Sequence, residues 1–224
     1  MTNDVENPTK NLHLVEFNQL ALERLKTAID EALANGHAFL TMLDDEADLD
    51  NKAGQANSQV NDAHLSSQQA LNDIIAFDHV NLALDRSWGL LSHLNSVVSD
   101  EPIRELHHAL LPALSAYGTA VGQHLPLYQR YQRVVSDQSF FERLEPARQR
   151  SLTLALQSFE LSGVGLAEAQ KQQFATLASE LSTLSAKFSD NVLDATQSYF
   201  LPLSESQLAG LPESALAMLA DAGR

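Results

Sequence analysis

Ile74, Phe77, Asn81, Leu84, Trp88, Leu91, Asn95 and Val98 recur at alternating intervals of three and four residues. That spacing keeps every one of them on one face of an α-helix and fits no strand, so the segment from Leu71 to Val98 must press this face against other helices. Two of the eight are Asn, whose amides need buried partners if the face is packed. The same rhythm returns in Ile103, Leu106, Leu110, Leu114, Tyr117, Val121, His124, Tyr128 and Tyr131, then in Leu152, Ala155, Leu156 and Phe159, and again in Phe174, Leu177, Leu181, Leu184 and Phe188. Gly and Pro are scarce, at nine and seven residues, and β-branched runs are short. The fold class is therefore all-α: an irregular, mostly antiparallel bundle of about six or seven helices. No period of 34 or 40 residues relates the seams, which argues against a helical-repeat array.

The boundaries follow from caps and breakers. A first helix is expected from about Phe17 to Ala34, with Leu22, Leu25, Ile29 and Leu33 inward and Asn35-Gly36 as its stop or kink. A polar stretch from Asp44 to Gln69, 43–69 at its widest, reads as a connector. The third helix starts near Pro102, a residue tolerated in a first turn. Pro112 sits inside its pattern without an amide hydrogen for the His108 carbonyl, which predicts a kink there or two helices meeting end to end. A further helix enters at Pro146 and is ended by Ser162-Gly163-Val164-Gly165; a longer one runs from Leu166 with the Phe174–Phe188 seam packed in the bundle. Phe200-Leu201-Pro202-Leu203 reads as extended, and a last helix begins around Pro212. These elements make one helical domain over 1–224, its main bundle over 70–200 and a C-terminal segment over 201–224.

The chain has 29 acidic and 14 basic side chains, a formal charge of −15. Such a field repels phosphate backbones and anionic lipid, so neither nucleic acid nor a membrane surface is an expected partner. Five acids crowd into Asp44-Asp45-Glu46-Ala47-Asp48-Leu49-Asp50, a run that reads as a solvated loop or helix end and lacks the Gly and terminal Glu of a calcium-binding loop. The opposite sign gathers between Arg130 and Arg150, with five bases against three acids. This region reads as a solvated face, with contact to an acidic surface or to peptide carboxylates as the functional alternative. Without Cys there is no disulfide, thiolate metal site or thiol nucleophile. No signal peptide is visible after Met1 and no apolar run approaches a bilayer span, so a cytoplasmic address is expected.

Candidate chemistry is thin. A zinc peptidase site of the His-Glu-x-x-His type places two imidazoles one helical turn apart, with a Glu between them to take a proton from the bound water. Among His13, His37, His64, His79, His93, His107, His108 and His124 no two stand in that relation. Glu105-Leu106-His107-His108 comes nearest, but adjacent residues diverge by about 100° on a helix. Asp78, His79 and Asp85 form a possible acid/base group with exposed helix polarity as the simpler reading. Gly163-Val164-Gly165 lacks the preceding strand and third glycine of a dinucleotide loop, and neither a nucleophile elbow nor a phosphate-binding loop occurs. No catalytic or metal residue is assigned, and substrate-binding residues are unknown.

Several separated stretches, in order, carry a family likeness: Trp88 to Val97, Leu111-Pro112-Ala113-Leu114-Ser115-Ala116-Tyr117, Val121-Gly122-Gln123-His124, Phe159 to Leu166, and Leu184 to Thr196. Between Trp88 and Ser214 the chain resembles the N-terminal region of the oligopeptidase A/thimet oligopeptidase family of zinc metallopeptidases, most of all its bacterial oligopeptidase A branch. The resemblance implies a two-lobed helical body split by a deep channel, with these helices forming much of one wall, a zinc lobe facing them, and short unstructured peptides as substrates. The chain would be roughly the first third of such an enzyme. The zinc ligands and catalytic Glu belong to the catalytic domain, which is absent here, so no cofactor is expected in this chain alone and no hydrolysis from it.

Two expectations follow. The missing zinc lobe is the chain's main partner, and a helical face that docks on it should stand exposed as an apolar patch, promoting self-association. The rival is a stand-alone helical module derived from that family, which binds a partner helix or peptide in a groove.

Overall fold

The computed structural model describes residues 21–56 and 66–222. Among them are eight α-helices and no strand: α1 (Leu22–Ala56), α2 (Ser67–Val97), α3 (Glu101–Gly122), α4 (Leu125–Ser136), α5 (Gln138–Phe141), α6 (Pro146–Leu161), α7 (Glu168–Ser198) and α8 (Glu213–Ala222). The all-α expectation holds. The count exceeds six or seven because the third pattern divides in two and α5 is a single extra turn. His13, His64, the expected helix start at Phe17 and the connector residues 57–65 lie outside the described residues. The chain falls into two compact units, 1–183 and 184–224, with the division inside α7.

In the first unit α1 does not stop at Asn35-Gly36. It continues to Ala56, so the first part of the expected 43–69 connector is helical. Gly36 lies on the buried stripe Leu25, Ile29, Ala32, Leu33, Leu40 and Leu43, and its missing side chain has a packing role. A Cβ there would overlap the hydroxyl and Cζ of Tyr117 on α3. The glycine lets an aromatic ring lie directly on the α1 backbone, a close approach that a sequence pattern reads equally well as a break.

The third pattern does not divide into two helices at Pro112. Pro112 is contained within α3, and the chain turns at Gln123-His124, eleven residues later. A continuous helix there would meet Pro126, which has no amide for the Gly122 carbonyl. The His124 side chain replaces the lost bonding by accepting from the Leu127 amide at 3.1 Å. Gln123 Nε2 donates to the Ser162 carbonyl at 3.1 Å, and Gly122 leaves room for the Ser162 side chain.

The short helix α4 is the hub of this unit, packing on α1, α2, α5 and α6. Leu127 and Val134 are fully buried and Tyr131 nearly so, its ring meeting Phe159 of α6 at 5.3 Å. Each fully buried Leu or Val of this kind contributes roughly 1.5–3 kcal/mol. As expected, α6 ends at Ser162-Gly163. Gly163, at φ +84°, donates to Glu160 and Val164 donates to Phe159, closing a Schellman motif whose Phe159 and Val164 side chains are both buried.

The second unit takes in the C-terminal half of α7, an irregular stretch through Leu203, a 3₁₀ turn (Glu205–Leu208) and α8. Gly210, at φ +92°, makes the turn before α8, which begins just after Pro212.

Candidate functional site

Ring contacts engage His37, His107 and His108. His37 meets the Tyr117 ring edge-on at 5.0 Å; His107 stacks on Trp88 at 4.7 Å with planes 16° apart; His108 stands nearly perpendicular to His107. Among the described residues no group of three or more His, Asp or Glu side chains is arranged to hold a metal ion. A zinc ion therefore does not fit the residues described.

Asp78, His79 and Asp85 lie on the exposed side of α2. Partial burial raises the Asp78 carboxyl, with His79 opposing the shift and Asp85 adding to it. Close by, burial raises the Tyr131 phenol, reinforced by the Asp78 charge. Asn81, one of the two seam amides, finds its partners: it donates to the Phe77 carbonyl at 2.9 Å and accepts from Tyr117 Oη at 2.6 Å. Burial raises the Tyr117 phenol as well, partly offset by that hydrogen bond. Asn95 differs, since its Oδ1 is buried without a hydrogen bond.

The strongest polar assembly is one that sequence reasoning missed. Arg130 is 6% exposed. Its Nε lies 2.8 Å from Asp73 on α2, its Nη2 2.7 Å from Glu46 on α1, and its Nη1 donates to the Pro126 carbonyl at 3.1 Å. One guanidinium thus braces three helices through its fixed fork of donors. The acidic run at Asp44–Asp50, expected as a solvated loop or helix end, is part of α1 and supplies two partners to this region, Glu46 for Arg130 and Asp44 for His124. The available signal was Arg130's position between Leu127 and Val134 on the apolar stripe of α4. Beside the brace, Ser67 donates to Asp137 at 2.6 Å; that bond, with those from Ser139 and the Phe140 amide, lowers the Asp137 pKa.

The other conspicuous feature is apolar. No residue of α7 is buried. Leu177, Leu181, Leu184 and Phe188, expected as a close-packed seam, are 57 to 70% exposed, and Val192 extends their row. In the first unit Leu177 and Leu181 are four residues apart, and in the second Leu184, Phe188 and Val192 follow at steps of four, so each set keeps to one face of the helix. In the second unit Tyr199, Phe200, Leu201 and Met218 are also exposed. Scattered apolar side chains are ordinary on protein surfaces; here they are aligned along a helix within each unit.

A helical scaffold with a braced core and an uncovered apolar row is the class this geometry defines. The family model for the N-terminal domain of neurolysin/thimet oligopeptidase matches residues 51–171, just over half the chain. The chain belongs to that family. It is 35% identical over 214 residues to oligopeptidase A of Haemophilus influenzae, covering 95% of this chain and 28% of that protein. Oligopeptidase A of Escherichia coli is 43% identical over 139 residues, 62% of this chain and 20% of that protein. The probable cytosolic oligopeptidase A of Arabidopsis thaliana is 32% identical over 136 residues, 60% of this chain and 19% of its own length. The matched stretches thus span only 19 to 28% of the length of these relatives. No described helix is long and apolar enough to cross a membrane.

Proposed function

We propose that this chain is the N-terminal channel-wall region of a cytoplasmic zinc metallo-oligopeptidase that hydrolyses short peptides. The zinc ion and its ligands come from the catalytic lobe, and the chain alone is inactive. The observation that carries this reading is the exposed row on α7, an apolar surface of the kind a further lobe would cover. Family membership and relatives named oligopeptidase A supply the reaction class. The partner is the remaining part of such an enzyme, and in its absence the row is a surface for self-association.

The isolated chain, given zinc and a short internally quenched peptide, should turn over nothing above a zinc-only blank. Joined to the C-terminal portion of the Haemophilus influenzae relative, it should hydrolyse the peptide in a chelator-sensitive way. Chelator-sensitive turnover by the isolated chain, or a folded hybrid without activity, would overturn the proposal. An isolated chain that binds the peptide tightly and gains nothing from the fusion would favour the stand-alone binding module.

A further inference from the structure

We infer that the α3–α4 corner is a pH-sensitive clasp, in which the neutral imidazole of His124 holds the start of α4 and the imidazolium releases it. The inference is independent of the peptidase reading, because it rests on one ring and its contacts. His124 is the N-cap of α4, with extended backbone at φ −78° and ψ 102°. Its Nδ1 accepts the Leu127 amide at 3.1 Å, which requires a lone pair on that nitrogen and so places the ring's single proton on Nε2. Nε2 lies 3.1 Å from Asp44 Oδ1 on α1, but off the line of a good hydrogen bond. The imidazole side chain is 9% exposed.

A second proton must go to Nδ1, where an N–H would then face the N–H of Leu127. Two donors cannot share that contact, so the cap is lost and the ring must turn, taking Nε2 with it. Replacement bonding is scarce at this corner, since Pro126 has no amide to restore helical continuity. The charged groups around the ring divide. Asp44 and the Leu40 carbonyl, both on α1, favour the imidazolium; burial and the Arg130 guanidinium on α4 oppose it. The carboxylates of Asp73 on α2 and Glu46 on α1 are engaged by Arg130 itself. Burial is the largest influence, and the His124 pKa is lowered.

The sign follows from linkage. A His whose folded-state pKa is depressed binds fewer protons when folded, so its contribution is complete above the unfolded value of about 6.5 and is lost as pH falls below it. Within the window between the two values, one extra proton on the open state means up to about tenfold in the opening equilibrium per pH unit.

Amide hydrogen exchange at Leu127, expressed as a protection factor, reads this directly. In the 224-residue chain it should be flat above pH 7 and fall by up to about tenfold per unit below 6.5. His124→Asn keeps a capping side chain that does not titrate, and should flatten the profile. A constant wild-type profile, or an equal decline in His124→Asn, would overturn the clasp. If the variant does not fold, nitrogen NMR of wild-type His124 decides: the Nε2–H tautomer at pH 8 with a midpoint below 6.5 supports it, and the Nδ1–H tautomer or a midpoint at or above 6.5 overturns it.

Discussion

Along α2, Ile74, Phe77, Leu84 and Leu91 are buried, while along α7, Leu177, Leu181, Leu184 and Phe188 stand 57 to 70% exposed. With Asn81 and Trp88 included in the α2 row, both rows follow three- and four-residue steps, and both helices have 31 residues. Periodicity determines that each helix has an apolar face; what covers that face is decided by the rest of the molecule. The α2 face meets α1, α3 and α4. Alpha-helix propensity, in Ala, Gln, Glu, Lys and Leu, together with a length well beyond the roughly 15 residues at which isolated helices become viable, lets α7 form without such cover.

The comparison can be tested by perturbing the covered side first, where the largest effect is expected. Arg130→Met removes the charge that Asp73 and Glu46 share across three helices. Asp73 is 15% exposed and would keep the Gln69 amide but lose its counter-charge. Uncompensated buried charge costs about 3–5 kcal/mol, and the low end applies because Glu46 is half in water. Urea unfolding should therefore show a loss of about 3 kcal/mol at unchanged slope. A loss below about 1 kcal/mol would mean that the brace is only a surface ion pair and that the covered region rests on apolar packing alone.

Gly36→Ala comes next and pits two effects against each other. Helix propensity favours Ala by about 1 kcal/mol in a helix interior. Against this, the new methyl would overlap the buried Tyr117 ring, held by its bond to Asn81 and by the His37 edge. Overpacking of that kind costs about 1–3 kcal/mol, so a net loss of about 1 kcal/mol is expected in the urea midpoint. A net gain would show that α1 and α3 can move apart, and that the buried region is looser than its packing suggests.

Much of the fold was legible in the sequence. Pro146, Pro212 and Ser162-Gly163 mark helix ends in the structure because each acts through local backbone chemistry, a missing amide or a left-handed residue. Gly36 read as a stop for the complementary reason: the Tyr117 ring it makes room for lies 81 positions away and leaves no local mark. Pro112 lies inside α3 and does not end it. The acidic run is solvated as expected, but its pairing with Arg130 and His124 left no local mark, since both lie far along the chain from it. The exposed row on α7 was visible as a pattern, but a single chain holds no information about the surface that would cover it.

The smallest expected effect probes that row. Leu177→Gln with Leu181→Gln changes two exposed side chains on the first-unit part of α7. In the isolated chain their apolar surface is already largely in water, so folding gains little from it and the urea midpoint should move by less than about 0.5 kcal/mol. Joined to the catalytic portion of the Haemophilus influenzae relative, the same pair should destabilise the hybrid by about 1–3 kcal/mol for each side chain covered. A large loss in the isolated chain would show that the row is already packed, removing the contrast with α2. No loss in either form would show that the row faces water in both, and the surface proposed to meet a catalytic lobe would have to lie elsewhere on the chain.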